Sequence, residues 1–153
     1  MPTLYIDGDA CPVKEEACRV AARYGIAVFI VSNQGSRQNF GAHVKGIMIG
    51  AEFDAADNWI VEQVAAGDII ITSDVQLAAR CLKKAAQALS PTGKPFTTDN
   101  IGAALAMREL SAYLREAGEI KGYNPNFTKQ DRSQFLQALD KVLQSTKPAA
   151  PSR

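Results

Sequence analysis

The chain has a single histidine, almost no net charge and an odd number of cysteines, and each of these features excludes a class of protein. His43 falls at the start of a predicted strand, away from the acidic residues discussed below, so a histidine general base is not expected there. A net charge of +1 provides no overall basic field, so a polyanion would have to bind a local patch. Three cysteines argue against a disulfide framework and favour reduced thiols in a reducing compartment.

Long hydrophobic runs are also absent, because no apolar stretch reaches the roughly 18 residues of a membrane span. No signal peptide is recognised before the first apolar run, so we expect a cytoplasmic protein without membrane association. A length of 153 residues and a hydrophobic fraction of 46% are ordinary for one globular domain. We predict a single domain over residues 1–144 and a disordered Pro/Ala/Ser-rich tail over 145–153.

Short apolar runs alternate with segments of helical periodicity along the chain. Such alternation predicts an α/β protein with a three-layer, Rossmann-like parallel sheet flanked by helices. Ligands of such sheets bind beyond the carboxyl ends of the strands, at a topological switch point. The predicted strands cover residues 4–6, 27–31, 43–49, 69–72 and 96–97, and the predicted helices cover 10–24, 54–66, 75–88, 100–117 and 128–143, with Thr98 or Asp99 capping the fourth helix.

Five aspartates follow predicted strands closely. Asp7 and Asp9 come after the first strand, Asp74 follows the strand at 69–72, and Asp54 and Asp57 open the helix after the third strand. Because the carboxyl ends of parallel strands share one edge, we expect these carboxylates to converge. Converging like charges require a cation or raised pKa values, and hard oxygen ligands select Mg²⁺ or Mn²⁺. All five are therefore predicted metal ligands, and Asp7, Asp57 and Asp74 are predicted to be catalytic.

Helix capping offers a competing interpretation of the same residues. Asp9 could cap the first helix, and Asp74 could cap the helix that follows it. Asp54 with Asp57 resembles a capping box in which Asp replaces the usual Glu. Asp7 has no such task, because Asp9 is better placed to cap. The convergence of the whole set favours the metal site.

Two catalytic chemistries fit the aspartates. In phosphodiester hydrolysis, Asp7 and Asp74 would bind a metal that activates water, and no side-chain nucleophile would be needed. In an aspartyl-phosphate phosphatase, Asp7 would attack phosphorus and Asp9 would protonate the leaving group. That class also requires a lysine, which Lys83 or Lys84 could provide, and a later acidic pair that this sequence does not have. The sequence therefore favours phosphodiester hydrolysis.

A third alternative is a nucleic-acid- or metal-binding module without catalysis. The polar loop at 32–39 could contact phosphates through Arg37 and amide groups. RNA and a second copy of the chain both remain open as partners. The candidate substrate-binding residues are Lys14, Asn33, Arg37, Ser73, Arg80 and Lys84.

Several motifs resemble those of the YaiI/YqxD family, bacterial proteins of unassigned function. The strongest is YIDGDACPVK at residues 5–14. The likeness spans nearly the whole chain apart from the tail. It continues through VSNQ at 31–34, FDAAD at 53–57, IITSD at 70–74, TTDNI at 97–101 and FTKQDR at 127–132.

That family is similar to PIN-like and NYN-type ribonuclease domains, so the resemblance implies a PIN-like fold and a Mg²⁺- or Mn²⁺-dependent ribonuclease. Asp7, Asp57 and Asp74 match the acidic positions of those domains, and the other two predicted ligands match less closely. Gln76 stands where many such nucleases have a further acidic residue. The resemblance therefore implies one well-formed metal site, or an inactive one.

Overall fold

The computed structural model describes residues 2–8, 11–32, 41–49, 55–107 and 128–146. Several predicted positions lie outside these described residues. They are Asp9, Asn33, Arg37, Asp54, residues 108–117 of the predicted fourth helix and the tail from residue 147.

Six strands form one sheet in the order β3-β2-β1-β4-β5-β6. The first five are parallel, and β6 is antiparallel to β5. The chain moves outward from β1 to β3 and then returns to the other side of β1 with β4, so the topological switch point lies between β1 and β4. The strands are β1 (Leu4–Asp7), β2 (Val28–Ser32), β3 (Val44–Met48), β4 (Ile69–Ile71), β5 (Gln87–Leu89) and β6 (Pro95–Phe96).

Helices cover both faces of the sheet, which confirms the predicted three-layer α/β fold. Alternate residues of the central strands point to opposite faces. Leu4 and Ile6 of β1 therefore pack in the core beneath α1 and α5, whereas Tyr5 packs in a second core beneath α2 and α3. The helices are α1 (Lys14–Arg23), α2 (Ala55–Gln63), α3 (Val75–Leu82), α4 (described over residues 101–107) and α5 (Lys129–Thr146).

Helices α1 and α5 lie side by side and run in the same direction. Arg132 near the start of α5 forms an ion pair with Glu16, and the Tyr24 hydroxyl after α1 donates a 2.6 Å hydrogen bond to Asp140 Oδ1. Phe135 of α5 is fully buried in the core beneath α1. Because α1 follows the carboxyl end of β1, both helices begin at the carboxyl edge of the sheet.

Helix boundaries account for the predictions that were wrong. The helix predicted over 75–88 ends at Leu82, and residues Gln87–Leu89 form β5. The N-cap position of α1 is Val13, so that helix begins later than an Asp9 cap requires.

The ends of the last two helices also differ from prediction. Thr97 Oγ1 accepts a hydrogen bond from Asn100 N, and Asn100 Oδ1 accepts one from Thr97 N, so Thr97 is the cap that was assigned to its neighbours. Helix α5 extends to Thr146, two residues into the predicted tail. Within the described residues, no helix has the length and apolar character needed to cross a membrane.

Candidate functional site

The strands β1 and β4 end side by side at the switch point, and their last polar residues are joined. Ile6 pairs with Ile71, so Asp7 and Thr72 follow as neighbours. Thr72 Oγ1 donates a 2.9 Å hydrogen bond to Asp7 Oδ2, and both residues are buried. Burying a carboxylate is costly unless it is hydrogen-bonded, so the threonine hydroxyl both stabilises and orients Asp7.

The same hydroxyl connects Asp7 to Asp74. The Asp74 N–H donates a 2.9 Å hydrogen bond to Thr72 Oγ1. Two hydrogen-bond lengths therefore place Asp7 Oδ2 within about 6 Å of the Asp74 nitrogen. Thr72 thus connects the Asp7 carboxylate to the backbone of Asp74 at the end of the crevice between β1 and β4.

Asp74 is also the N-cap of α3, which confirms that interpretation for this residue. Its Oδ1 accepts hydrogen bonds from Gln76 N at 2.9 Å and from Leu77 N at 3.4 Å. The side chain is half-buried, and the cap does not use Oδ2. The cap fixes the direction of the carboxylate and leaves one oxygen for another ligand, so capping and metal binding are compatible at this residue.

Asp57 lies in the first turn of α2 and is half-buried. Its charge acts on Cys81 of α3: burial is the main reason that the pKa of Cys81 is raised to about 11, and the nearby Asp57 carboxylate adds to that rise. Among the described residues, no three His, Cys, Asp or Glu side chains form a group that could hold a metal ion. A cation at this edge would therefore need oxygens beyond those of Asp7, Asp57 and Asp74.

Gly8 continues the chain past Asp7 in a closely packed position. A Cβ atom there would lie 2.9 Å from Ile30 Cγ2 and 3.2 Å from the Val31 carbonyl oxygen, so only glycine fits without displacing β2. Lys14 Nζ donates a 2.9 Å hydrogen bond to the Gly8 carbonyl oxygen. The predicted substrate-binding residue Lys14 therefore places its positive charge at the carboxyl edge, one residue from Asp7.

The other described candidates for substrate binding are more widely spread. Ser73 is exposed between Thr72 and Asp74, and Arg80 is exposed on α3. Lys84 donates to the Val61 carbonyl oxygen of α2 instead. It follows the end of α3, about 15 Å along the chain from Asp74 at 1.5 Å per residue. Its neighbour Lys83 is the C-cap of α3, about 14 Å from Asp74 on the same measure, so neither lysine offered for the phosphatase lies at the aspartate edge.

Sequence reasoning did not assign a site role to the hydroxyl residues that end the parallel strands. Ser32 ends β2, Thr72 follows β4 and Ser90 follows β5, and all three are buried. Ser90 Oγ accepts from Lys94 N and so shapes the turn into β6. The signal that could have revealed Thr72 is its position, because it ends an apolar strand as Asp7 does.

Comparisons with known proteins find relatives that match nearly the whole length of the chain. Residues 5–145 match the model of a family described as "Uncharacterized BCR, YaiI/YqxD family". A UPF0178 protein of Agrobacterium fabrum is 51% identical over 146 residues, which is 95% of each chain. A UPF0178 protein of Mesorhizobium japonicum is 48% identical over 98% of this chain and 97% of its own. No solved structure matches the chain.

Proposed function

The chain belongs to the YaiI/YqxD family, as its motifs predict, and from the geometry of its carboxyl edge we propose that it is a divalent-metal-dependent nuclease acting on RNA. The observation that carries the proposal is the buried Asp7 carboxylate, held by Thr72 in the crevice at the switch point. That crevice is where parallel sheets bind ligands. A carboxylate fixed there at a cost in burial favours a ligand-binding role over a purely structural one.

Carboxylate oxygens are the ligands that a hard divalent cation such as Mg²⁺ or Mn²⁺ prefers. Asp7 and Asp74 would be the direct ligands, because Thr72 joins them within the described residues. Asp57, with Asp9 and Asp54, would complete the set directly or through water. A bound cation would supply charge neutralisation at the phosphate and a reactive water at neutral pH.

Lys14 and the reduced cysteines agree with this proposal. The Lys14 ammonium, which donates to the Gly8 carbonyl, would neutralise a phosphate oxygen beside Asp7. The three cysteines are buried and free, which fits a reducing compartment such as the cytoplasm. The phosphatase alternative loses support, because Lys83 and Lys84 lie beyond the far end of α3.

The test is cleavage of end-labelled single-stranded RNA by the purified protein in Mn²⁺, compared with the Asp74→Asn variant. Asn is as good an N-cap as Asp, so this variant should keep α3 intact while it removes the charge. Asp99→Asn removes the same charge from an exposed turn and serves as the matched control. We expect Asp99→Asn to cleave like the wild type and Asp74→Asn to lose at least roughly tenfold in rate.

Two outcomes would contradict the nuclease. Equal cleavage by the wild type and Asp74→Asn would indicate a contaminating enzyme. A rise in thermal stability with Mn²⁺ that depends on Asp74, without any cleavage, would indicate a metal-binding module instead. EDTA should abolish both the cleavage and the rise in thermal stability with Mn²⁺.

A further inference from the structure

A groove between α1 and α5 opens at the same carboxyl edge. Its upper part, with a volume of 730 Å³, begins at Cys11 and Lys14 and passes between Arg19 of α1 and Arg132 of α5. Its lower part, of 430 Å³, continues along α1 to Arg23. Lys14 contacts the Gly8 carbonyl, so the groove leads directly to the residue that follows Asp7.

Positive charge is concentrated in this groove. Four cationic side chains line its two parts, against two anionic ones, Glu15 and Glu16. The resulting excess is larger than the net charge of +1 that the whole chain carries. A local basic strip on a nearly neutral protein is the electrostatic feature that attracts a polyanion to one place.

The exposed ion pair of Arg19 leaves that arginine accessible to a ligand. Arg19 lies 3.1 Å from Glu15, and these side chains are 69% and 65% exposed. Exposed pairs of this kind contribute little to stability, so a phosphate can replace the carboxylate at small cost. Arg132 is about half-exposed, and its partner Glu16, which is mostly covered, holds it at the wall of the groove.

We propose that the groove binds the phosphate backbone of a single-stranded RNA segment that leads to the aspartate edge. The nature of this ligand rests on the proposed nuclease function. From Lys14 to Arg23 the helix rises about 14 Å, which is the length of about four stacked nucleotides. None of the described residues that line the groove is aromatic. Without a stacking platform, the contacts would follow the backbone and carry no base specificity.

The test is equilibrium binding of a fluorescent 12-nucleotide single-stranded RNA in EDTA, where metal-dependent cleavage cannot interfere. The Arg19→Glu/Arg23→Glu variant removes two exposed groove cations without leaving Glu16 unpaired. The Lys45→Glu/Lys83→Glu variant changes the net charge equally at exposed positions outside the groove. We expect the groove variant to bind at least roughly tenfold more weakly. When log K is plotted against the logarithm of the salt concentration, the slope for the groove variant should be smaller in magnitude by about 1.4. This difference corresponds to two lost phosphate contacts.

The outcomes separate this inference from the nuclease. Unchanged binding by the groove variant, or an equal loss in the control variant, would overturn the groove as an RNA site. Tighter binding of a poly-glutamate peptide than of RNA would assign the groove to an acidic protein segment and would also overturn it. RNA binding that depends on the groove, in a protein that cleaves nothing in Mn²⁺, would support the groove and contradict the nuclease.

Discussion

At the scale of single residues, the site depends on one hydroxyl group that has two partners. Thr72 Oγ1 donates its only proton to Asp7 and accepts the N–H of Asp74. Asp7 is buried, so its carboxylate depends on partners of this kind for the solvation that it loses. Thr72 therefore orients both aspartates, although it is not itself a predicted metal ligand.

Replacing Thr72 with valine tests this role. Thr72→Val keeps the shape of the side chain but removes the donor to Asp7, and we expect a loss of about 1–3 kcal/mol in the free energy of unfolding. Urea denaturation measures it, and Thr72→Ser, which retains the hydroxyl, should lose less. Mn²⁺ should stabilise the wild type and Thr72→Ser more than Thr72→Val. Equal stability of the valine and serine variants would show that this hydrogen bond contributes little.

The aspartates could be predicted from sequence because of where they stand, and their partners could not. An Asp after a run such as Leu4–Ile6 is conspicuous, since strand ends of a parallel sheet share an edge. The sequence does not specify that β1 and β4 are immediate neighbours, and only the pairing of Ile6 with Ile71 joins Asp7 to Thr72. Hydrogen bonds across a switch point depend on strand order, which local patterns do not contain.

At the scale of elements, two helices end in the same motif, and only one end was predicted. In α1, Ile26 N–H bonds to the Ala21 carbonyl and Gly25 has φ +67°. In α3, Ala86 N–H bonds to the Cys81 carbonyl, but the left-handed position is held by Ala85, at φ +64°. Glycine marks such an end in the sequence and alanine does not.

The strand β5 was missed for this reason. Ala85 and its neighbours favour a helix, so the helical pattern of the sequence continues to Ala88. Pairing of Ala88 with Ile70 of β4 and burial of Leu89 override that local preference. The predicted fold class is nevertheless correct. The other strands already indicate a parallel sheet, and β5 only extends it.

The two helix ends predict opposite effects of exchanging glycine and alanine. A non-glycine residue in the left-handed region destabilises the folded protein by about 1–2 kcal/mol. Glycine avoids this cost, but part of the gain is offset because glycine increases the entropy of the unfolded chain. Ala85→Gly should therefore stabilise the protein by up to about 1 kcal/mol, and Gly25→Ala should destabilise it by about the same amount. Both positions are exposed, and a Cβ at Gly25 would meet no atom within 4 Å, so packing does not confuse the result. Urea denaturation measures both, and a loss of stability in Ala85→Gly would contradict the argument.

At the scale of the whole molecule, the two cores shield every cysteine from solvent. Cys11 and Cys18 lie in the core beneath α1 and α5, and Cys81 lies in the core beneath α2 and α3. Burial is the largest cause of the raised pKa in each case, which reaches about 12 for Cys11 and about 11 for the other two, against an ordinary thiol value of 9.0. The folded protein therefore favours the neutral thiol.

This shift predicts how stability depends on pH. The stabilisation from neutral thiols is complete below pH 9, where the unfolded chain keeps its protons. It is lost as pH rises towards 11 and 12, because the unfolded state ionises first. The urea concentration at the midpoint of unfolding should therefore decrease as the pH is raised above 9. The decrease should be smaller in a Cys11→Ala variant.

The same burial predicts that the native thiols react slowly with a disulfide reagent. At pH 8 a thiol with a pKa of 11 is about 100-fold less ionised than one with the ordinary value, and the thiolate is the reacting form. We therefore expect labelling of the native protein at least about 100-fold slower than in 6 M guanidinium. Rapid labelling of one thiol under native conditions would show that the core around that cysteine opens, and the single Cys→Ala variants would identify which of the two cores it is.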